Sequence, residues 1–210
     1  MEKLLNKGHF ILLNGGSSAG KTTLVEQFQN YTFEHHKILY LTLGIDSAFH
    51  VFPKNIFSPY LRDIRKEMMF DLVNQGSDEK PYPVFEHTEK AHSYVNARYQ
   101  AIRQFLNAGF SVISDEQFWH KPWVESLKDV FHNQRVYLVK VYANEETLLQ
   151  REANRADRAE NLYLSSADIC HQYMQYDLEI DTSNNDAQKN IITLWDFVQN
   201  TPSPNAIKLL

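Results

Sequence analysis

His9-Phe10-Ile11-Leu12-Leu13-Asn14-Gly15-Gly16-Ser17-Ser18-Ala19-Gly20-Lys21-Thr22 is the stretch on which the reading of this chain turns. Its opening, His9 to Leu13, is short, apolar and closed by Asn-Gly-Gly, the pattern of a buried strand. Its second half, Gly15 to Thr22, matches G-x-x-x-x-G-K-[ST]. Glycines and small residues there let backbone N–H groups curl around phosphate oxygens. From Thr22 to Asn30, Leu24, Val25 and Phe28 recur at helical spacing, so a helix N-terminus adds its positive end to the same place. Strand, loop and helix together predict a phosphate-binding loop for ATP or another nucleoside triphosphate. Its contacts would come from Gly15, Gly16, Ser17, Ser18, Ala19, Gly20, Lys21, Thr22 and the adjoining Thr23. Lys21 is placed to reach the terminal phosphates, and the Thr22 hydroxyl to ligate Mg²⁺.

Beyond this point the chain alternates. Lys37 to Leu43 predicts a second strand ended by Gly44. Tyr60 to Asn74 and Glu86 to Asn107 predict helices, the latter closed by Gly109, with a loop from Gly76 to Pro83 between them. Phe110 to Ser114 is a third strand, Lys121 to about Phe131 a helix with Pro122 in its first turn, and Arg135 to Val141 a fourth strand. Asn144 caps the next helix, whose first turn holds Glu145 and Glu146. Tyr176 to Asp181 is a fifth strand, and Asp186 caps a last helix through Trp195 and Val198. The expectation is an α/β fold of three layers, a mainly parallel five-stranded sheet with helices on both faces. Residues 1–200 would form one domain, with a lid around 151–165, and 201–210 an irregular tail.

In open α/β sheets ligands sit beyond the carboxyl ends of the strands. Asp46 follows the second strand there, where it could orient an acceptor hydroxyl and take its proton, or simply cap a turn. Asp115 follows Val112-Ile113-Ser114 and could hold Mg²⁺ directly or through water, contact substrate, or be simply a loop acid. Arg151, Arg155 and Arg158 are spaced to share one helix face. They could clamp phosphates from a mobile lid, Arg155 and Arg158 before Arg151, or form a solvated surface paired with nearby acids. Ser47, Phe49 and Phe52 beside Asp46, and Glu116 beside Asp115, are the candidates for touching the acceptor; Phe57 and Tyr60 pose the same choice between pocket and packing.

Composition narrows the partners. Lysine and arginine number 21 against 26 aspartates and glutamates, a net charge of -5, which lacks the basic footprint of a nucleic-acid binder. No apolar run approaches the roughly 18 residues that span a bilayer. A single cysteine, Cys170, excludes an internal disulfide, and the nine histidines show no H-x-x-x-H pair, so no zinc site is expected. A cytoplasmic protein acting on a small molecule is the expectation, with its state as monomer or homo-oligomer left open.

The motifs are also similar, in order, to those of the chloramphenicol phosphotransferase family. Ile11 to Lys21 resembles that family's opening, Gly44-Ile45-Asp46-Ser47 its second motif and Val112-Ile113-Ser114-Asp115-Glu116 its third. Arg151-Glu152-x-x-Arg155-x-Asp157-Arg158 resembles its lid, and His171 with Tyr176 to Thr182 its closing stretch. Residues 50 to 105 match loosely. The resemblance implies a P-loop kinase fold and an ATP- and Mg²⁺-dependent transfer to an acceptor hydroxyl. Asp46 would be the catalytic base, with Lys21, Arg155 and Arg158 serving the transferred phosphate. In the family the named acceptor is the antibiotic's primary hydroxyl, so a role in antibiotic resistance is among the expectations. Kinases of a sugar, nucleoside or nucleotide-sugar, or a nucleotide-binding regulatory module with little catalysis, are the alternatives.

Overall fold

The computed structural model describes residues 8–45, 51–56, 58–77, 80–118, 120–154, 169–184 and 186–210. Five strands, β1 (Phe10–Asn14), β2 (Tyr40–Thr42), β5 (Ser111–Glu116), β6 (Val136–Tyr142) and β7 (Leu178–Asp181), form one sheet in the order β2-β5-β1-β6-β7. Every pairing in it is parallel. Alternate residues of β1 serve opposite faces. Phe10 and Leu12 pack with helices α3 (Glu89–Asn107) and α4 (Lys121–Phe131). Ile11 and Leu13 pack with α1 (Lys21–His36) and α6 (Ala187–Asn200). Two covered faces explain why the strand reads as a continuous apolar run rather than an alternating one. The predicted three-layer α/β architecture is thus present.

Several predicted boundaries move, each for a local reason. α1 ends on Lys37 in the left-handed region (φ 59°), with the amides of Lys37 and Ile38 returning to the carbonyls of Phe33 and Thr32. That cap uses up the start of the predicted second strand, which begins only at Tyr40. The helix predicted over Tyr60 to Asn74 stops early. A single 3₁₀ turn (Pro59–Leu61) leads into α2 (Arg62–Met68), and Phe70 then enters a two-stranded antiparallel ribbon of β3 (Phe70–Ser77) and β4 (Lys80–His87). The predicted loop at Gly76 to Pro83 is therefore mostly strand. Prolines at alternate positions, 81 and 83, forgo amides on one side of β4 only, which a ribbon without a third strand tolerates. Buried Asp71 fixes this ribbon to α2, accepting hydrogen bonds from Arg62 at 2.9 and 3.1 Å. Helix α3 starts at Glu89 rather than Glu86 because Thr88 caps it, its hydroxyl accepting from the Ala91 amide.

β7 also starts late, at Leu178, because Asp177 is occupied elsewhere. Its carboxylate accepts from the amide of Leu138 and from the amides of Asn205 and Ala206, each within 2.9 Å. That carboxylate docks the C-terminus, which is not irregular throughout: α7 (Ala206–Leu209) buries Ala206 and Ile207 in the core. Among the described residues no helix is long and apolar enough to cross a membrane.

At the amino end of the sheet His9 is buried between Arg135, whose guanidinium donates to Nδ1 (2.8 Å), and the Tyr40 hydroxyl at Nε2 (2.6 Å). Burial, then the charge of Arg135, push its pKa down to about 3. The unfolded chain therefore binds a proton at His9 between pH 6.5 and about 3 that the folded chain does not. Stability should fall as pH drops through that window, by up to about 1.4 kcal/mol per pH unit from this group. Urea titrations at pH 7, 6 and 5 should show a shallower decline for His9→Gln than for wild type; parallel declines would remove His9 as the cause.

Candidate nucleotide and phosphate site

The carboxyl ends of β1 and β5 lie side by side at the point where the chain's crossovers change direction. The loop leaving β1 is built there. Ser18 (φ 61°) and Gly20 (φ 87°) both take left-handed conformations, and α1 starts directly at Lys21. Glycine relieves that conformation at position 20, while Ser18 carries it as a non-glycine. The Lys21 ammonium turns back over the loop and donates to the carbonyls of Gly15 (2.8 Å) and Gly16 (2.7 Å). Ser17, Ser18, Ala19 and Lys21 are all buried, whereas Thr22 and Thr23 are exposed on the first turn of α1.

The Thr22 hydroxyl donates to Oδ2 of Asp115 at 2.7 Å. This contact joins two residues 93 positions apart that sequence reading assigned separately to Mg²⁺. A hydroxyl and a carboxylate are hard oxygen donors of the kind Mg²⁺ uses, with phosphate oxygens and water supplying its other ligands. Among the described residues no group of three or more His, Cys, Asp or Glu side chains is arranged to hold a metal ion. The donor set therefore fits a cation shared with phosphates rather than a metal caged by protein. The end of β2 closes against the same carboxylate: a Cβ on Gly44 would lie 1.7 Å from Asp115 Oδ1.

Glu116, the next residue of β5, points to the opposite face. Both of its oxygens accept from Arg98 of α3, at 2.5 and 2.6 Å. Burial pushes the Glu116 carboxyl up, opposed by the charge and hydrogen bonds of Arg98. Burial also works against the charge on Arg98, but Glu116 more than offsets it and holds Arg98 above its ordinary value. The geometry gives Glu116 a partner inside the protein, where sequence reading had offered it to the acceptor.

On the other side of the loop, Arg151 of α5 (Glu145–Ala153) donates to the carbonyl and hydroxyl of Thr182 (2.8 and 2.9 Å) and to the Ser18 carbonyl (3.2 Å). The Thr182 hydroxyl lies 2.9 Å from the Ala19 carbonyl. Arg151, Thr182, Thr23, Gln27, Asn154 and Asn190 are among the residues lining a cavity of about 500 Å³, the size of a pocket for a small ligand. Arg151, ranked behind Arg155 and Arg158 by sequence, is thus the arginine that meets the loop among the described residues. Asn14 makes a third tie: its amide donates to the Cys170 carbonyl and the Tyr176 hydroxyl, and its oxygen accepts from Phe118 N–H.

Asp46, Ser47, Phe49, Phe57, Arg155 and Arg158 lie outside the described residues. Phe52 packs on Tyr94, ring centroids 5.0 Å apart, while Tyr60 stands exposed. The fold also gathers three histidines that sequence spacing kept apart. His87 Nδ1 and His120 Nε2 are 2.6 Å apart, and Trp123 donates to His92 Nδ1.

The family model described as "chloramphenicol phosphotransferase-like protein" matches residues 8–199. Two Mycobacterium tuberculosis proteins, one from each of two strains and provisionally named O-phosphotransferases, are 31% identical to this chain over 97% of its length and 88% of theirs. Among solved structures, the Mycobacterium tuberculosis APS kinase in complex with AMPPNP and APS superposes with a TM-score of 0.60 at 11% identity, covering 92% of this chain and 99% of that one. Shikimate kinase from Acinetobacter baumannii in complex with shikimate gives 0.51 at 15% identity over 94% and 97%. A gluconokinase from Sinorhizobium meliloti gives 0.52 at 11% identity over 93% and 95%. These likenesses show the P-loop kinase fold.

The Arg151 ties yield a direct expectation. Arg151→Met keeps the apolar stem and removes three donated hydrogen bonds. With charge-assisted bonds worth about 1.5–3 kcal/mol, the urea midpoint of the variant should fall below that of wild type. An unchanged midpoint would mean that these bonds do not help to hold the loop against α5 and the chain after β7.

Proposed function

This chain belongs to the chloramphenicol phosphotransferase-like family, and from that premise we propose that it moves the γ-phosphoryl group of ATP to a hydroxyl of a small-molecule acceptor. The observation that carries the reading is the hydrogen bond between Thr22 and Asp115, which sets a loop hydroxyl and a strand-end carboxylate together at the mouth of a glycine-rich loop.

Each residue has a stated task in this reading. Backbone amides of Gly15 to Gly20 and the N-terminus of α1 receive the phosphates. Lys21 shifts from the loop carbonyls to the terminal phosphates. Thr22 and Asp115 would hold Mg²⁺, which when bound would offset phosphate charge. The cavity between Arg151, Thr182 and Asn190 takes the nucleoside. Asp46 accepts the acceptor's proton as the acceptor oxygen bonds to the γ-phosphorus and the bond from that phosphorus to the bridging oxygen breaks. ADP and a phosphate monoester leave. Arg155 and Arg158 neutralise the transferring group from the lid. Ser47, Phe49 and Phe52 are the residues assigned to the acceptor, and the family's own name makes chloramphenicol the first compound to try.

The test is turnover of ATP against a panel of hydroxyl compounds (chloramphenicol, sugars, nucleosides, nucleotide-sugars), with the product identified by mass. A phosphorylated acceptor is expected. ATP binding with no product from any acceptor would favour the regulatory alternative. With a working acceptor, Asp46→Asn should lower kcat by about 10²–10⁴ while ATP affinity stays near wild type, and an unaffected kcat would dismiss Asp46 as the base.

A further inference from the structure

Arg98 occupies a position that side-chain polarity alone would forbid. It lies on α3 between Val95, Tyr99 and Ile102, on the stripe that faces the sheet, and it is 8% exposed. Its guanidinium makes three hydrogen bonds there. Two grip the Glu116 carboxylate side by side, and the third, from Nη1, reaches the backbone carbonyl of Leu43 at 2.7 Å. The two segments it holds are the ends of β5 and β2. These same segments meet again on the other face of the sheet, where Gly44 abuts the Asp115 carboxylate and Asp115 accepts from Thr22.

We infer that Arg98 is a positioning residue, which acts through Glu116 and Leu43 to aim the Asp115 carboxylate at the Thr22 hydroxyl and so fixes the cation-holding pair of the site. The physics favours this over a stability role. A buried ion pair loses so much hydration that apolar residues of similar volume often replace it with no loss of stability. Such a pair accounts for its presence better by what it orients. Adjacent residues of a strand project to opposite faces, so a clamp on the Glu116 side chain sets the twist of the β5 end and with it the direction of Asp115. The hydrogen bond to Leu43 stops the β2 end from moving away, and Gly44 is thereby kept in contact with Asp115. Arg98 itself touches neither nucleotide nor acceptor in this account.

This inference rests on the nucleotide reading of the site, but its test does not need the acceptor. Arg98→Ala leaves Glu116 buried without its partner, and that variant can fail to fold. The double variant Arg98→Met with Glu116→Leu avoids this, because it removes both charges and keeps the volume. Three quantities are measured on the double variant, on Arg98→Lys and on wild type: the melting temperature, the ATP affinity by calorimetry with and without Mg²⁺, and, once an acceptor is known, kcat and KM. The expected result is a melting temperature for the double variant at or above wild type. The gain in ATP affinity on adding Mg²⁺ should shrink by about 10–100-fold, as for residues that support a metal ligand. ATP affinity without Mg²⁺ should be near wild type, and kcat should fall with the KM for the acceptor little changed. Arg98→Lys, which keeps the charge and loses the two-pronged grip, should recover little of the Mg²⁺ effect. A folded double variant with the full Mg²⁺ gain would overturn the inference, as would complete recovery by lysine. If wild type binds no ATP at all, the nucleotide reading fails instead, and the two failures are distinct.

Discussion

Strand β1 is enclosed on four sides: β5 and β6 take its two edges, and helices take its two faces. A strand so enclosed can leave the sheet only along its own axis. At that exit every backbone amide must find a partner or a ligand. The turn from Gly15 to Gly20 answers part of this constraint within the protein, the Gly15 amide donating to the Glu116 carbonyl and the Ala19 amide to the Gly16 carbonyl, each at 3.4 Å, before α1 begins. The loop is therefore not an ornament on the fold. Its position follows from the burial of Phe10 to Leu13, and the side chains that contact it have to be brought to it. β5 brings Asp115, the chain after β7 brings Thr182, and α5 brings Arg151.

The three carriers use different physics. Asp115 arrives by register, since Leu13 pairs with it across the sheet. Thr182 and Arg151 arrive by a hydrogen-bonded bridge that gathers the carbonyls of Ser18 and Ala19. Asn14 belongs to the strand itself and spends three side-chain hydrogen bonds on other segments, including the carbonyl of Cys170. A fully buried asparagine in that place makes the root of the loop rigid, because any rotation of its amide would strand a buried polar group.

The parts legible in the sequence are those where function dictates residue type locally. Gly15 to Thr22 is legible because backbone curvature, charge and helix start demand particular residues at four of its eight positions. The sheet was legible because a two-faced parallel strand must be apolar throughout. The ribbon of β3 and β4 was not, since Gly76, Pro81 and Pro83 signal a turn as readily as a two-stranded edge, and only pairing across the hairpin decides. Arg98 carries a signal of its own: a cation on the apolar stripe of Val95, Tyr99 and Ile102 demands a buried partner. Nothing local identifies Glu116 as that partner 18 residues away. Arg151 and Thr182 meet through 31 residues of chain, and their value to the loop is visible only in three dimensions.

The ribbon has a consequence for how strain travels in the molecule. Among the described residues it pairs with no strand of the main sheet; it is tied by the Asp71–Arg62 bonds to its own neighbour α2, by the Met69 carbonyl, which accepts from the Thr88 hydroxyl at 3.0 Å, and by His87 to His120 at the start of α4. Its pairing is thus separate from the pairing that seats β1. A strain placed on the hairpin is carried to the sheet through side-chain ties, whereas a strain on β5 or β6 reaches β1 directly through the ladder. The chain therefore works as a stiff frame with a separately braced arm inserted between β2 and α3.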